Sequence, residues 1–375
     1  MDLAEFRKQL DAIDDQIVAL YEERMAVSEQ IAAYKIKTGK AVLDREREQS
    51  KLAELGAKAS NDFNRRGVEE LYRQIMAMSR KLQYRKINEA GTAGRLPFIG
   101  IDDVDRENIR VVFQGAEGSY SQAAMKQFFG EDVNSFPVET FRDAMIAIED
   151  GRADYGVLPI ENSTAGMVSE IYDLLSAYEN TIVAEQIMKI EHCLLGLPGS
   201  SVDRIATVYA HPQALMQSYA FLYPHPSWKQ VGMKNNAFAV QKVLADNDPT
   251  QAAIAGEYAA RYYGMEILER GINRDGSNST RFVIITNQKV FLKNARCVSI
   301  SFELPHEPGA LYRMLSHIIY NDLNMTRIES RPIPDMAWEY RFFVDFEGNL
   351  ADDAVKNALR GLREEARNLR ILGNY

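Results

Sequence analysis

The chain has 375 residues, enough for two or three domains, and 46% of them are hydrophobic, which is ample for several cores. Its net charge of −9 argues against nucleic acid as a general partner, and no apolar run approaches the ~20 residues of a membrane span. The two cysteines, Cys193 and Cys297, lie far apart, and the five histidines show no metal-ligand spacing. Because the N-terminus lacks the apolar core of a signal peptide, we expect a cytoplasmic protein. Because the histidines lack ligand spacing, we expect no metal.

The first 90 residues contain no proline and predict three helices. The first helix should close near Gly39, and the second should begin at Asp44 and end at Gly56, because these residue types favour helix ends. Several glycines, among them Gly91 and Gly94, together with Pro97, then indicate a linker. The predicted helices span roughly 3–37, 44–56 and 62–90, and the predicted linker covers 91–108.

An apolar heptad stripe runs along the first predicted helix, and its spacing predicts that it is buried. Arg24 occupies one position of this stripe. Since burying an unpaired guanidinium is costly, we expect an anion beside it. The alternatives are a polar residue that sets the register of a coiled coil, or a pairing with a protein carboxylate. The stripe consists of Leu3, Phe6, Leu10, Ile13, Ile17, Leu20, Arg24, Val27, Ile31 and Tyr34.

Three cations on or beside this stripe predict a shared site. Arg24 and Lys35 are eleven residues apart, so they share a helix face with their Cα atoms roughly 16–17 Å apart, close enough to bracket one small dianion. Arg7 is 17 residues before Arg24, roughly 25 Å along the axis, which is too far for the same ligand. A second chain would have to bring Arg7 to the site. The spacing therefore predicts a homodimer.

The later helices add polar residues in helical register. Asp44, Arg47 and Glu48 stand at i, i+3 and i+4, and Ser79 and Gln83 at i and i+4. Each pair alone is typical of a solvated helix surface. Together with the cations they form a set that lacks any nucleophile–base pair. Such a set suits a reaction that needs confinement and charge stabilisation rather than acid–base chemistry.

Residues 1–90 resemble the all-helical chorismate mutase domain of bifunctional chorismate mutase–prephenate dehydratases. The cations, the stretch from Asp44 to Glu48, and the Ser79–Gln83 pair fall at that family's spacings. The resemblance implies an intertwined dimer of three-helix domains in which each site borrows the first arginine from its partner. The residues implied in binding chorismate are Arg7, Arg24, Lys35, Asp44, Arg47, Glu48, Ser79 and Gln83.

The resemblance also implies a role for each of these residues. Arg24 and the Arg7 of a second copy would hold the carboxylates of chorismate, and Arg47 would support the carboxylate end. Lys35 and Gln83 would face the ether oxygen, on which charge builds during the Claisen rearrangement. Asp44 and Glu48 would take the ring-hydroxyl side, with Ser79 as a further polar contact. Because Gln83 is neutral, mutase activity should persist from acid to neutral pH.

From Ile109 onward, short β-branched runs alternate with helical stretches. This alternation predicts a two-lobed α/β region with largely parallel sheets. No G-x-G-x-x-G motif occurs, which argues against a nicotinamide-binding domain. The predicted strands are Val111–Phe113, Gly156–Ile160, Thr181–Val183, Thr207–Tyr209, Ala252–Ala255 and Phe282–Thr286.

Polar clusters lie at the ends of several of these strands, and the last of them, 279–282, comes just before the final strand. The loop 115–122 opens a helix and favours an anion site, the alternative being a tight turn in which Ser119 is the helix cap. Further clusters at 159–163, 191–194, 210–213 and 279–282 are typical of ligand-binding edges in open α/β sheets. The histidines of two clusters, His192 and His211, are expected more as hydrogen-bonded cleft or core residues than as catalytic ones.

Together these clusters resemble the prephenate dehydratase domain over residues 109–287, which implies two lobes like those of periplasmic binding proteins. One departure is Ala116, where the family usually has proline. The resemblance makes Thr280 the essential hydroxyl and Arg281 a carboxylate anchor. The other implied substrate-binding residues are Ser119, Tyr120, Ser121, Glu161, Asn162, Ser163, Gln213 and Phe282.

Residues 296–375 predict the β-α-β-β-α-β order of a ferredoxin-like module. Two motifs within it, at 307–311 and 329–332, are explained either by turn chemistry with an edge-strand proline or by ligand binding. They resemble the phenylalanine-binding motifs of ACT domains, with a departure at Tyr312, where valine is usual. The implied effector residues are Gly309, Ala310, Leu311, Glu329, Ser330, Arg331 and Pro332.

These resemblances together imply a cofactor-free bifunctional enzyme, forming a homodimer or a larger homo-oligomer. It would convert chorismate to prephenate and prephenate to phenylpyruvate, and phenylalanine would inhibit it. Two alternatives stay open on the sequence alone. One is a dimeric amino-acid-binding regulator with a structural helical arm, and the other is a dehydratase with an inactive mutase domain.

Overall fold

The chain folds into two compact units. A computed structural model describes residues 2–91, 96–273, 276–333, 336 and 338–375. One unit comprises Met1–Pro97 with Ser301–Leu369, and the other comprises Phe98–Ile300 with Arg370–Tyr375. Part of the predicted linker, residues 92–95 with Gly94, lies outside the described residues.

Three helices open the first unit, α1 (Leu3–Thr38), α2 (Arg45–Gly56) and α3 (Asp62–Glu89), in agreement with the prediction. Gly39 ends α1 in the left-handed conformation at φ 69°, and its N–H donates to the Lys35 carbonyl. The Asp44 carboxylate accepts from the Arg47 N–H at 3.1 Å and so caps α2. The helix ends are therefore determined by local chemistry.

The prediction that the heptad stripe of α1 is buried is wrong for a single chain. Residues 2–20 are exposed throughout, and the apolar members of the stripe are 41–64% exposed. Only Ser28 and Ala32 of α1 are buried. The reason is that α1 packs on α3 with a different face, which contains these two small residues, while the first half of α1 has no neighbour among the described residues that buries it.

The second unit alternates strands and helices. The predicted linker turns out to contain a short strand, β1, which pairs in parallel with β13. In chain order the elements are β1 (Ile99–Ile101), β2 (Arg110–Gln114), α4 (Tyr120–Phe129), β3 (Asn134–Val138), α5 (Phe141–Glu149), β4 (Tyr155–Asn162), β5 (Gly166–Met167), α6 (Ser169–Ala177), β6 (Thr181–Lys189), β7 (Cys193–Gly196), a 3₁₀ turn (Val202–Arg204), β8 (Thr207–Ala210), α7 (Pro212–Gln217), α8 (Tyr219–Leu222), β9 (Lys229–Gly232), α9 (Asn236–Asp246), β10 (Gln251–Ala255), α10 (Glu257–Tyr263), β11 (Glu266–Glu269), β12 (Ser279–Thr286) and β13 (Val290–Leu292).

These strands form the sheets of two lobes. One sheet has the order β6-β12-β4-β2-β3 and the other β11-β7-β10-β8-β9. The expectation of largely parallel sheets is wrong, because β12 is antiparallel to both β4 and β6, and β7 is antiparallel to β10 and β11. The chain leaves the first sheet after β6 and returns at β12. Each lobe has its own buried core, around Phe113 and Phe282 in the first and around Leu195 and Leu194 in the second.

The last stretch has the predicted β-α-β-β-α-β order. Its strands are arranged β15-β16-β14-β17, with β15 at the edge. The helices α11 and α12 cross closely at Gly361, where a Cβ atom would collide with the His317 ring. The elements are β14 (Cys297–Glu303), α11 (Ala310–Ile319), β15 (Met325–Pro332), β16 (Tyr340–Glu347), α12 (Asp353–Glu365) and β17 (Arg367–Asn374).

Within the described ranges, no helix has the combination of length and apolar content that crossing a bilayer requires.

Candidate active sites

A chain of hydrogen bonds joins α1 to α3 at the first candidate site. Gln83 Nε2 donates to Ser79 Oγ at 3.2 Å, and Ser79 Oγ donates to Ser28 Oγ at 2.7 Å. Ser28 in turn donates to the Arg24 carbonyl at 3.0 Å. Ser79 and Gln83 are both buried. The predicted pair on α3 therefore faces the helix that carries Arg24.

Two polar atoms at this site are buried without a hydrogen-bond partner among the described residues. They are Arg24 Nη1 and Gln83 Oε1. A buried polar atom without a partner is costly, so such atoms often mark the place where a ligand binds. In the described part of the chain no carboxylate pairs with the Arg24 guanidinium, which disfavours the alternative of a protein counter-ion.

Lys35 lies beside the start of α2. Its Nζ donates to the Val42 carbonyl at 2.7 Å. Partial burial lowers the pKa of Lys35, although the negative charges of Asp44, Glu364 and Glu48 act to raise it. These interactions show that Lys35 is near both predicted carboxylates of α2.

Arg7 is exposed and lies far from Arg24 and Lys35 of its own chain. Both arginines belong to the continuous helix α1, so 17 residues separate them by roughly 25 Å. One chain thus brings Arg24, Ser79 and Gln83 together through hydrogen bonds, and it does so without Arg7.

A buried arginine that the sequence did not single out meets Glu48. Arg80 Nη1 donates to both carboxylate oxygens of Glu48, at 2.6 and 2.5 Å, and its Nη2 donates to Glu365 Oε1 of α12 at 2.9 Å. The neighbouring Glu364 accepts from the Leu43 N–H at 3.3 Å and from the Tyr84 hydroxyl. Arg80 could have been suspected because it follows Ser79, but nothing in the sequence relates it to α12.

The second candidate site is a cavity of about 300 Å³ in the α/β unit. Ser119 caps α4 there by accepting from the Gln122 N–H at 3.3 Å, so the alternative of a capped turn is correct for that side chain. Gly118, just before it, has a φ of 78°, which glycine adopts readily. The predicted residues that line this cavity are Ser119, Tyr120, Ser121, Asn162, Gln213, Thr280 and Phe282.

Asn162 orients the Thr280 hydroxyl in this cavity. Asn162 Oδ1 accepts from the backbone N–H groups of Thr164 at 3.1 Å and Ala165 at 2.9 Å. This fixes the amide so that its Nδ2 faces Thr280 and donates to Oγ1 at 2.9 Å. Because Thr280 Oγ1 accepts from Asn162, its own O–H remains a donor. Thr280 is 8% exposed, so this donor acts in a largely water-free place.

His192 also lines the cavity and is hydrogen-bonded there, as expected for a cleft histidine. Its Nε2 lies 2.9 Å from Gln217 Oε1, and its Nδ1 lies 3.0 Å from the Tyr120 hydroxyl. Burial lowers the pKa of His192 and raises that of Tyr120 well above its usual value. Gly256 lies so close to the Tyr120 ring that a Cβ atom there would approach it to 2.7 Å. His211, from the predicted cluster 210–213, also lines the cavity, and so do Gln114, Gln217, Asn235 and Asn236, which the sequence did not single out.

Three predicted residues do not line the cavity. Arg281 lies 3.5 Å from Glu161 and 3.6 Å from Glu185. Side chains alternate along a strand, so Thr280 and Phe282 share one face of β12 and Arg281 takes the other. Ser163 Oγ accepts from the N–H of Ser279, the first residue of β12, at 2.9 Å. The structure therefore does not bring Arg281, Glu161 or Ser163 to the position expected for substrate anchors.

The two motifs of the predicted effector site lie apart in one chain. Gly309, at φ 75°, precedes α11, and together with Ala310 it lines a cavity of about 570 Å³ that also borders Glu48 and Arg80. Leu311 is not part of that lining. The second motif, Glu329, Ser330, Arg331 and Pro332, forms the end of the edge strand β15 and does not line it either.

Known families match both candidate sites. The chorismate mutase type II model matches residues 6–84, and the prephenate dehydratase model matches residues 111–290. The bifunctional chorismate mutase/prephenate dehydratase of Aquifex aeolicus is 31% identical over 379 residues, which cover 100% of this chain and 98% of that protein. The chain belongs to the bifunctional chorismate mutase/prephenate dehydratase family. It is therefore an enzyme of phenylalanine biosynthesis that rearranges chorismate to prephenate and converts prephenate to phenylpyruvate.

Solved structures resemble the part of the chain that follows the helices. A prephenate dehydratase from Arthrobacter aurescens, in complex with L-Phe, is 28% identical with a TM-score of 0.66, over 71% of this chain and 89% of that one. The quorum-quenching acylase GqqA is 32% identical with a TM-score of 0.65, over 71% of this chain and 97% of that one. The α/β unit thus has a fold known from family members.

Proposed function

We propose that the polar set between α1, α2 and α3 is the chorismate mutase site. It comprises Arg24, Lys35, Asp44, Arg47, Glu48, Ser79 and Gln83, together with Arg7 of a second copy. The observation that carries this proposal is the pair of buried, unpartnered atoms, Arg24 Nη1 and Gln83 Oε1, at a place that one chain leaves incomplete.

The rearrangement breaks a C–O bond and forms a C–C bond within one molecule, so no proton has to be transferred. The site can accelerate it by holding the compact conformer and by stabilising charge on the ether oxygen. The guanidinium of Arg24 would bind a carboxylate of chorismate. Lys35 and the amide nitrogen of Gln83 would donate to the ether oxygen, since the amide uses only one of its two N–H groups on Ser79.

The exposed stripe of α1 supports a homodimer. Leu10, Ile13, Ile17 and Leu20 are more than half exposed in one chain and lie on one side of a 36-residue helix. Such a continuous apolar surface is typical of an interface between protein chains. A second α1 can pack antiparallel on this surface. If the two helices cross midway between positions 7 and 24, the Arg7 of a second copy lies opposite Arg24.

We also propose that Thr280 is the catalytic hydroxyl of the dehydratase site. Loss of CO₂ from prephenate pushes electrons into the ring and expels the ring hydroxyl, which needs a proton as it leaves. The arrangement in which Asn162 donates to Thr280 supports this role, since the free O–H of Thr280 can donate to the departing oxygen. Tyr120, Gln213 and the N-terminus of α4 would hold the substrate's carboxylates.

The domain limits that we propose are 1–90 for the mutase, 91–108 for a linker, 109–287 for the dehydratase and 296–375 for an ACT regulatory domain.

The β-α-β-β-α-β order and the cavity beside Gly309 and Ala310 support phenylalanine as the effector. Calorimetric titration of L-phenylalanine should show binding, and no heat at millimolar concentration would remove this part of the proposal. A cytoplasmic location agrees with two cysteines, Cys193 and Cys297, that are not joined in a disulfide.

Separate assays of the two steps test the proposed sites. The purified enzyme is incubated with chorismate, and prephenate and phenylpyruvate are followed independently. Thr280→Ala should accumulate prephenate, whereas Arg24→Ala should leave chorismate unconverted but still process added prephenate. If Thr280→Ala forms phenylpyruvate at the parent rate, the assignment of that hydroxyl fails. If Arg24→Ala retains mutase activity, the assignment of the helical site fails.

A further inference from the structure

Arg80 is buried between carboxylates that come from opposite ends of the chain. Its side chain is 8% exposed, and it donates to Glu48 of α2 and Glu365 of α12. A buried guanidinium is tolerated only when anions and hydrogen-bond acceptors satisfy it. Burial alone would lower the pKa of Arg80, but the charges of Glu48 and Glu365 outweigh it and raise that pKa.

Glu365 is itself held from the other side. His317 Nε2 of α11 lies 3.0 Å from Glu365 Oε1. Burial opposes the ionisation of Glu365, yet the hydrogen bond from His317 and the charges of His317 and Arg80 lower its pKa to about 2. Glu365 is therefore a fixed anion at neutral pH. It can serve as a support for the Arg80 guanidinium.

The same helix also touches the segment that leads into α2. Glu364 accepts from the Leu43 N–H, and its carbonyl accepts from Arg45 Nη2 at 3.0 Å. The turn before α2 and the Glu48 side chain on α2 are thus both connected to α12. All of these residues belong to one compact unit.

This arrangement fixes the direction of the Glu48 carboxylate. Both of its oxygens accept from one nitrogen of a planar guanidinium, which has few ways to move once two carboxylates bind it. Each carboxylate oxygen keeps a further acceptor position, so Glu48 can still accept from a ligand hydroxyl. An unsupported glutamate on a helix surface would sample several rotamers instead.

We propose that Arg80 is a positioning residue of the chorismate mutase reaction, which orients Glu48, and that Glu365 holds Arg80 in place. The mutase site then extends into the C-terminal module, beyond the proposed domain limit at residue 90. This inference rests on the proposed mutase site, in which Glu48 contacts the ring-hydroxyl side of the substrate. The competing interpretation is an ion-pair cluster that only joins α3 to α12.

Full-length Arg80→Met and Arg80→Lys variants test the proposal, with both activities measured in the same sample. We expect Arg80→Met to lower mutase kcat/KM by on the order of tenfold to a hundredfold, as misplaced reacting groups do. Arg80→Lys should recover part of the loss. Dehydratase kcat/KM should stay unchanged in both variants, which separates a local effect from general unfolding.

The pH profile is the measurement that a purely structural role would not change. Without the guanidinium, a proton should replace it between Glu48 and Glu365, so the mutase rate of Arg80→Met should fall towards acid pH where that of the parent persists. The titratable and charged groups around Glu48 and its support are Lys35, Asp44, Arg47, Arg80, Lys81, Tyr84, His317, Glu364 and Glu365.

Lys81→Met is the matched control. Lys81 is the next residue of α3 and a buried cation that also meets the C-terminal module, because its Nζ donates to Ser316 at 3.2 Å and lies 3.5 Å above the Tyr320 ring. Its ammonium binds this hydroxyl and this ring rather than the Glu48 carboxylate. Burial and the charge of Arg80 lower the pKa of Lys81 to about 7, but Lys81 forms none of the hydrogen bonds that hold Glu48. Its replacement should therefore not produce the fall of the mutase rate towards acid pH that we expect of Arg80→Met.

Glu365→Gln keeps the test decisive if Arg80→Met does not fold. We expect it to lower mutase kcat/KM, and to have no further effect when combined with Arg80→Lys if the two act as one unit. Parent-like mutase kcat/KM and pH profile in both Arg80→Lys and Glu365→Gln would overturn the proposal.

Glu48→Gln distinguishes failure of the proposed site from failure of the role of Arg80. Full mutase activity in that variant would refute the proposed site itself. Loss of activity in Glu48→Gln, beside normal Arg80 and Glu365 variants, would refute only the role of Arg80.

Discussion

At the scale of single residues, one amide determines how Thr280 can act. The Oδ1 atom of Asn162 is occupied by two backbone N–H groups, so its Nδ2 must face the Thr280 hydroxyl. Both residues were named from the sequence, because they fall in motifs that resemble those of prephenate dehydratases. Their hydrogen bond was not predictable, because β4 and β12 become neighbours only in the folded sheet.

Asn162→Asp should therefore damage the dehydratase step. An aspartate has no N–H, so it would accept from Thr280 and turn the hydroxyl proton away from the cavity. We expect dehydratase kcat to fall on the order of a hundredfold, comparable with the loss of one catalytic donor elsewhere. The check is steady-state turnover of prephenate, with Thr280→Ser as the conservative control. Turnover by Asn162→Asp at the parent rate would contradict the proposed donor.

Lys35 gives a prediction on the alkaline side. In the proposed site the reaction needs the ammonium form of Lys35, and partial burial lowers its pKa below the usual 10.5. Since a lysine loses its charge as pH rises through its pKa, mutase kcat/KM should decline before pH reaches 10.5. In Lys35→Arg the guanidinium stays charged, so whatever activity remains should lack this alkaline decline. The dehydratase rate in the same buffers is the control, and an identical decline in both proteins would contradict the assignment.

At the scale of elements, local chemistry was easier to predict than the partners of each face. The caps at Gly39 and Asp44 were correct because they depend on neighbouring residues alone. The stripe of α1 was correctly identified as apolar, but its burial was wrong because periodicity does not say which surface covers a face. For Arg281 the alternation of side chains along β12 already predicts a position outside the cavity, since a residue between Thr280 and Phe282 faces the other side of the strand.

The stripe of α1 predicts how a single charge would act. Ile13→Lys places an ammonium in the middle of the proposed interface, where burial without a partner is costly. We expect the variant to sediment as a monomer and to lose mutase activity, because no partner supplies Arg7. Asp15→Lys lies away from the stripe and should remain a dimer. Sedimentation velocity and both assays check this, and a dimeric Ile13→Lys enzyme with full mutase activity would count against the interface.

At the scale of the whole molecule, the proposed mutase site belongs to two chains. Its residues on α1, α2 and α3 were predictable because they lie within one 90-residue segment, where helical spacing and the family resemblance both apply. Arg80 and Glu365 were not, since they are 285 residues apart in the sequence. No local pattern indicates that pairing, and it emerges only from the packing of α12 on α3.

Mixing two inactive variants tests whether the site is shared. Arg7→Ala and Arg24→Ala should each lack mutase activity as homodimers. After equal amounts exchange subunits, half of the dimers are mixed and each has one intact site, so about a quarter of parent mutase activity should return. Arg7→Ala mixed with itself is the control. No recovery, although mixed dimers form, would show that both arginines act within one chain.

The ion pair between Arg80 and Glu365 also has a consequence for biosynthesis. Because Glu365 lies 285 residues after Arg80, the ribosome must make that much more of the chain before Arg80 gains its second carboxylate. The N-terminal helices are synthesised first but would reach their final state last. A premature stop codon shortly before position 365 would thus impair a catalytic centre that was translated hundreds of codons earlier.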